Sequence, residues 1–165
     1  MTTESNRRTE EGWTEEGQWT QRLRYIGGAL AFAIAALHAL HPDWGIRGLV
    51  VYANVGALPD PRPLFFVVSG IVIIGGVLAV LLGAPRKSIY LGGMILMVLY
   101  IVGYFGWHMV GHGAWWPWGG EGFASDSLYA IIFGPNHLRG SLDELISKLL
   151  ELALLIVLGL LYYRE

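Results

Sequence analysis

The fold is decided by a long apolar run at residues 89–112, which reads IYLGGMILMVLYIVGYFGWHMVGH. A helix rises about 1.5 Å per residue, so a run of this length crosses a hydrocarbon core of about 30 Å. One face of this helix is polar, because four side chains recur at intervals of four residues: Tyr100, Tyr104, His108 and His112. Lipid offers them no hydrogen-bond partner, so this face is expected to meet protein or a water-filled cavity.

The composition favours a membrane location for the whole chain. Hydrophobic residues make up 54% of its 165 residues and charged residues only 15%, against about a quarter in soluble proteins. The basic residues are few and scattered, so we expect no nucleic-acid partner. The expected partners are the lipid bilayer and either other membrane subunits or a second copy of the chain. The absence of cysteine excludes disulfides and thiolate metal ligands.

The chain divides into a polar tail and a membrane domain. Residues 1–24 are rich in Glu, Thr, Arg and Gly and are predicted to form a flexible cytoplasmic tail, since they cannot bury a core. Residues 25–165 are predicted to form an all-α integral membrane protein, a four-transmembrane-helix bundle. The spans are expected at about residues 25–41, 64–82, 88–112 and 142–163. The first is short and is expected to begin slightly before Tyr25.

Turn and cap residues mark the ends of these spans. Pro42 cannot continue a helix and ends the first span. Residues 83–87 are a tight turn that joins the second and third spans as an antiparallel hairpin. Ser141 and Glu144 fit the capping-box pattern at the start of the fourth span. The second span carries little polar character besides Ser69 and is interpreted as scaffold.

Two longer connectors join the remaining spans. The first, residues 42–63, contains the apolar stretch 49–52, which is too short to cross and is predicted to be interfacial or re-entrant. The second, residues 113–140, carries a cluster of tryptophans typical of a membrane–water boundary. Residues 128–133 of this connector are predicted to form a short surface helix.

The distribution of basic residues predicts the orientation. The larger group lies in the tail, the tight turn and the C-terminus: Arg7, Arg8, Arg22, Arg24, Arg86, Lys87 and Arg164. The smaller group lies in the two connectors: Arg47, Arg62 and Arg139. The positive-inside rule therefore predicts a multi-pass protein of the cell membrane with both termini cytoplasmic and both longer connectors outside.

In this orientation the histidines all fall in the outer half of the membrane or just beyond it. They are His38, His41, His108, His112 and His137. The first and third spans run in the same direction, so His38 and His108 are expected at similar depth. His41 and His112 are then expected one turn further out.

The fourth span adds charged side chains at the same end. Glu144, Lys148 and Glu151 share one helical face. Glu151 is about nine residues into the helix, or ~13 Å, which places it near the bilayer centre. An acidic group at this depth costs a few kcal/mol unless it is protonated, paired with Lys148 or a histidine, or reached by water.

Two cofactor hypotheses follow if the polar faces of the first, third and fourth spans converge. A zinc, copper or iron ion suits ligands drawn from His38, His41, His108, His112 and Glu144. Haem b suits one axial histidine from each of two helices, His38 and His108. In both cases the protein would be a redox or metal-handling subunit, with supporting or proton-transfer roles for Glu151, Lys148, Tyr100, Tyr104 and His137.

Two further hypotheses need no cofactor. Ionisable side chains inside a membrane mark proton relays, and a path along Glu151, Tyr100, Tyr104 and His108 fits that role. The other is a non-catalytic membrane subunit or scaffold, in which the polar cluster holds helices together or docks a partner. The sequence leaves the choice among these hypotheses open.

Overall fold

The computed structural model describes residues 3–56, 59–111, 126–134 and 141–165, with side chains from Gly17 onward. Every regular element in these ranges is an α-helix. In chain order the helices are α1 (Thr3–Leu40), α2 (Ile46–Val55), α3 (Arg62–Leu81), α4 (Arg86–Met109), α5 (Leu128–Phe133) and α6 (Leu142–Arg164).

Four of these helices are long and apolar enough to cross a membrane, which confirms the predicted all-α class and the number of spans. The candidate spans are Gly17–Leu40, Arg62–Leu81, Arg86–Met109 and Leu142–Arg164. The first begins before Tyr25, as expected from the length that a span needs. The orientation of the termini and the outward position of the connectors remain predictions.

The helix ends differ from the predicted ones by a few residues, and at the N-terminus the difference is larger. Helix α1 continues back to Thr3, through the segment that was predicted to be a flexible tail. The boundary between tail and bundle at residue 24 stays a prediction. Helix α3 begins at Arg62, before the predicted start, because Pro63 is compatible with the first turn of a helix. Helix α5 has the predicted bounds, and the Ser127 hydroxyl caps it by accepting the Ala130 N–H at 3.2 Å.

The predicted capping box of α6 is correct in position and wrong in its hydrogen bond. Ser141 is the N-cap residue, but its hydroxyl donates to Asp143 Oδ1 at 2.5 Å and accepts no backbone N–H. The carboxylate of Glu144 is engaged elsewhere, because it accepts the Tyr104 hydroxyl at 2.6 Å. The Ser141 hydroxyl is therefore oriented by the charged Asp143 carboxylate.

The bundle is held by close packing of α1 on α3 and α6 and of α4 on α6, whereas α3 and α4 touch less. Its centre is an apolar layer of six buried side chains: Ala31, Ile34, Ala35, Ile73, Met97 and Leu154. Ile34 and Met97 are fully buried. The outer half of the bundle, named after the predicted orientation, contains the end of α1, the start of α3, the end of α4 and the start of α6.

The opposite end of the bundle is closed by charged contacts. Arg24 on α1 donates to Glu165 at 2.5 Å, and Arg86 at the start of α4 lies 3.8 Å from the same carboxylate. Between them α3 turns into α4 at Gly83, whose φ of 89° is in the left-handed region that favours glycine. These contacts place the middle of α1 and the start of α4 beside the end of α6.

Gly48 offers a test of the close approach between α2 and the turn before it. A Cβ atom at this position would overlap the Asp43 carbonyl oxygen and lie 3.4 Å from Pro63 Cγ. We expect Gly48→Ala to lower the free energy of unfolding by roughly 1–3 kcal/mol, because the backbone must shift. The measurement is the thermal unfolding midpoint in detergent. Gly75→Ala is the matched control, since its Cβ meets nothing within 4 Å. Equal midpoints for the two variants would contradict this packing.

Candidate functional site

Four helices bring polar side chains together in the outer half of the bundle, directly above the apolar layer. We call this cluster the polar centre. It consists of His38 on α1, Ser69 on α3, Tyr100 on α4, and Ser147, Lys148 and Glu151 on α6. The polar faces of the first, third and fourth spans therefore meet, and the second span adds a serine that the sequence analysis treated as scaffold.

The carboxylate of Glu151 is wholly buried and fully paired. Lys148 Nζ lies 2.9 Å from one of its oxygens and 2.6 Å from the other. The Ser147 hydroxyl donates to Oε1 at 3.0 Å, and His38 Nε2 lies 3.5 Å from the same atom. The exposed fraction of Glu151 is 0%. The sequence analysis expected this carboxylate to be protonated, paired or reached by water, and in the structure it is paired with Lys148.

His38 links the carboxylate to the hydroxyl groups of α3 and α4. It is 1% exposed, and its Nδ1 lies 3.2 Å from Ser69 Oγ. Its ring stacks on Tyr100, with 4.5 Å between ring centroids. The Tyr100 hydroxyl contacts Ser69 Oγ and also lies 2.8 Å from the Phe65 carbonyl oxygen. These hydrogen bonds run from Tyr100 through Ser69 to His38, and His38 Nε2 then lies 3.5 Å from Glu151 Oε1, which is longer than an ordinary hydrogen bond.

The series is compatible with two arrangements of protons, because hydroxyl and imidazole groups both donate and accept. In the first, Ser69 donates to the Phe66 carbonyl at 2.9 Å and accepts His38 Nδ1–H, so that a doubly protonated ring directs Nε2–H toward Glu151. In the second, Ser69 donates to His38 Nδ1, and a neutral ring donates Nε2–H toward Glu151. The polar centre therefore accommodates His38 both with and without a second proton.

A second group of polar side chains lies further along α4. The Tyr104 hydroxyl donates to Glu144 Oε2 at 2.6 Å. His108 is buried, its Nδ1 lies 2.8 Å from the Tyr104 carbonyl oxygen, and its ring packs on the Tyr104 ring at 4.5 Å between centroids. Glu144 and His108 thus share Tyr104 as a partner.

His41 is held by the turn that follows α1. Its Nδ1 accepts the backbone N–H groups of Asp43 and Trp44 at 3.2 and 3.1 Å. Its Nε2 lies 3.9 Å from Asp143 Oδ2, which is longer than a hydrogen bond. Burial lowers the pKa of His41 below its ordinary value, and the nearby carboxylates oppose this only in part. The neutral ring therefore carries its proton on Nε2.

A cavity of about 540 Å³ connects these groups. Its walls come from α3 and α4 and are largely aromatic, and α6 contributes a polar side formed by Asp143, Glu144, Ser147 and Lys148. Tyr100, Tyr104, His108 and His41 also line it. The cavity therefore lies between α3 and α4, and the polar centre forms part of its boundary through Ser69, Tyr100, Ser147 and Lys148.

Arg62 lies at the outer end of this cavity. Its guanidinium binds both carboxylate oxygens of Asp60, at 2.6 to 3.1 Å. Its central carbon also lies 3.6 Å from the ring centroid of Trp44 and 4.7 Å from that of Trp107, which are cation–π distances. Arg62 therefore connects the first connector with the end of α4.

The residues predicted to bind a metal ion or haem each contact different partners. His38 contacts Ser69 and Glu151, whereas His41 contacts backbone N–H groups and His108 contacts Tyr104. In the part of the chain that the structure describes, no group of three or more His, Asp or Glu side chains is arranged to hold a metal ion. His112 and His137 lie outside the described residues.

Sequence reasoning missed several residues of the site. Ser69 carried one signal, since it is a lone polar side chain in an otherwise apolar span. Trp44, Arg62 and Phe66 carried none, because loops and helix starts at a membrane boundary are commonly rich in such residues.

Fold and site together define a multi-pass membrane protein with an ionisable centre buried among four helices. Protein-family models, curated proteins and solved structures were compared with the chain, and none matches it. Its function is therefore inferred from its own residues.

The lowered pKa of His41 predicts a pH effect on stability. The unfolded chain titrates His41 near 6.5, above the folded value, so acidification favours the unfolded state once the pH falls below 6.5. We expect the thermal midpoint to fall more between about pH 7.5 and about pH 5.5 for the natural protein than for His41→Asn, which keeps an acceptor but does not titrate. Parallel decreases in both proteins would contradict this assignment.

Proposed function

We propose that this protein is a membrane subunit that binds and releases a proton at its polar centre, in exchange with the outer cavity. The observation that carries this proposal is the series of donor and acceptor groups from Tyr100 through Ser69 to His38, whose Nε2 lies 3.5 Å from the buried Glu151 carboxylate. Ionisable groups are rare inside membranes, and chains of them are typical of proton transfer. The two proton arrangements of His38 supply the required change of state.

The exchange is one-sided in this proposal. Tyr100 and Lys148 line the outer cavity, so they connect the polar centre with that cavity. On the other side lie Ile34, Met97 and Leu154, which are at most 3% exposed and offer no donor or acceptor. The proton is therefore stored at the centre and does not continue to the opposite face.

The setting of this exchange follows the predicted orientation. We propose a place in the cell membrane with both termini cytoplasmic, and other membrane subunits or a second copy of the chain as partners. A subunit that stores a proton on one side fits beside a partner that consumes or supplies it.

The alternative is a non-catalytic scaffold, in which the same contacts only hold helices together. It is supported by the full pairing of Glu151, since removal of one partner from a buried ion pair costs about 3–5 kcal/mol. The two proposals differ in one observable, because a scaffold keeps a single protonation state whereas a proton-binding centre changes it with pH.

Nuclear magnetic resonance of the full chain with ¹⁵N-labelled histidine in detergent separates them. We expect the His38 signals to convert between the neutral and the doubly protonated ring as the pH is lowered. Glu151→Gln should reduce the doubly protonated population at a given pH, because the carboxylate 3.5 Å away no longer stabilises the cation. Glu165→Gln, the same chemical change at the far end of α6, should leave the titration unaltered.

An unchanging His38 spectrum over the whole pH range would overturn the proton-binding proposal and favour the scaffold. Equal responses of Glu151→Gln and Glu165→Gln would also overturn it. The thermal midpoint of Glu151→Gln, measured in parallel, reports the structural contribution of the same carboxylate.

One observation favours the second candidate, a metal or haem subunit. His108 donates Nδ1–H to the Tyr104 carbonyl at 2.8 Å, the kind of hydrogen bond that orients ligating histidines in metal sites. The ligand set would then combine His108 with His112 and the other predicted ligands.

Under this second candidate, detergent-purified protein should carry about one metal ion per chain or show the Soret absorption of haem. Joint replacement of His108 and His112 by Ala should remove it, while Glu165→Gln should retain it. Elemental analysis and an absorption spectrum are the measurements. Metal content that survives the double replacement would contradict these ligands.

A further inference from the structure

The outer cavity has the size and walls of a small-molecule site. Its volume of about 540 Å³ is within the range of ligand pockets, roughly 300–1,000 Å³. Phe65 and Phe66 of α3 line it together with Tyr100, Tyr104 and Trp107 of α4, and the Phe66 and Tyr100 rings contact each other at 6.1 Å between centroids. Aromatic walls of this kind favour a flat ring, which gains stacking contacts in addition to buried area.

The mouth of the cavity opens on the surface that faces lipid. Val72 of α3 is 55% exposed and Leu99 of α4 is 61% exposed, and both line the cavity. Gly103, one helical turn further along α4 than Leu99, also lines the cavity, and a Cβ atom there would meet nothing within 4 Å. A molecule that enters this way comes from the hydrocarbon layer, so it must be largely apolar and uncharged.

Hydrogen-bond donors reach the cavity from two different elements. His41, after α1, has its Nδ1 occupied by backbone N–H groups and so presents Nε2–H. Lys148, on α6, donates twice to Glu151, and its third N–H has the Tyr100 carbonyl at 3.5 Å, a long contact. A ring with an acceptor oxygen on each of two sides matches donors placed in this way.

We propose that this cavity binds a membrane-soluble quinone-like molecule, with its flat carbonyl-bearing ring between α3 and α4 and its apolar tail toward the mouth. His41 and Lys148 are the donors to its carbonyl oxygens. The proposal goes beyond proton exchange at the polar centre and does not depend on it. Since Lys148 belongs to both, a bound ring lies at the end of the series that leads to His38.

The test is a titration of the full-length protein in detergent with a benzoquinone that carries one isoprene unit. Trp44 and Trp107 line the cavity, so bound quinone should quench their fluorescence in a saturable way. Gly103→Leu places a side chain in the cavity and should weaken binding at least about tenfold. Gly75→Leu, at an exposed position of α3 outside this cavity, should change it less than about twofold.

A second ligand tests the hydrogen bonds without any substitution. The dimethyl ether of the corresponding hydroquinone has the same ring and tail but is a poor acceptor. We expect it to bind the natural protein at least about fivefold more weakly, since two hydrogen bonds are lost. This comparison remains decisive if Gly103→Leu does not fold.

Quenching that never saturates, or that is equal in Gly103→Leu and Gly75→Leu, would overturn the proposal. Equal affinity for quinone and dimethyl ether would overturn the assigned donors. Saturable binding of a phospholipid in place of the quinone would assign the cavity to lipid and also overturn it. Failure here leaves the His38 titration untouched, because that experiment contains no quinone.

Discussion

The structure depends on the burial of one carboxylate among four helices. Glu151 has no access to water, and an unpaired charge at its depth costs several kcal/mol. Lys148 comes from the same helix, but His38 comes from α1 and is itself held by Ser69 of α3 and stacked on Tyr100 of α4. Satisfying one side chain therefore fixes the rotation of four helices about their own axes.

The same constraint explains the polar character of the outer cavity. Apolar side chains such as Ile34 and Met97 are buried at the centre of the bundle. Above them the bundle places hydroxyl, imidazole and ammonium groups in contact, and several of these groups line the cavity. The cavity between α3 and α4 follows from this arrangement, and Arg62 with its two tryptophans lies over its outer end.

The spans could be predicted because their signals are local. Lengths of apolar runs give four spans, and the bounds of α5 follow from a short apolar segment between polar ones. The partners of the site residues depend on helix rotation, which no local pattern encodes. Ser69 is the lone polar side chain of its span, so no helical spacing indicated which way it faces. His41 accepts backbone N–H groups, and these are present in nearly every residue, so nothing in the sequence indicated this contact. The four-residue spacing of Tyr100, Tyr104 and His108 did predict a polar face, but not that each residue would have different partners.

The apolar layer beneath the polar centre has an electrical consequence. In the proposed exchange, a proton that reaches His38 from the outer side crosses only part of the membrane, because the buried side chains of Ile34, Met97 and Leu154 lie beyond it. It has therefore moved through a fraction of the transmembrane voltage, about 13 Å of a core of about 30 Å. Moving a full charge across 100 mV corresponds to about 2.3 kcal/mol. The free energy of proton binding at the centre would therefore change by roughly 1 kcal/mol for each 100 mV, and the ratio of occupied to empty centres by about fivefold. In that proposal the occupancy of the polar centre would therefore depend on the membrane potential.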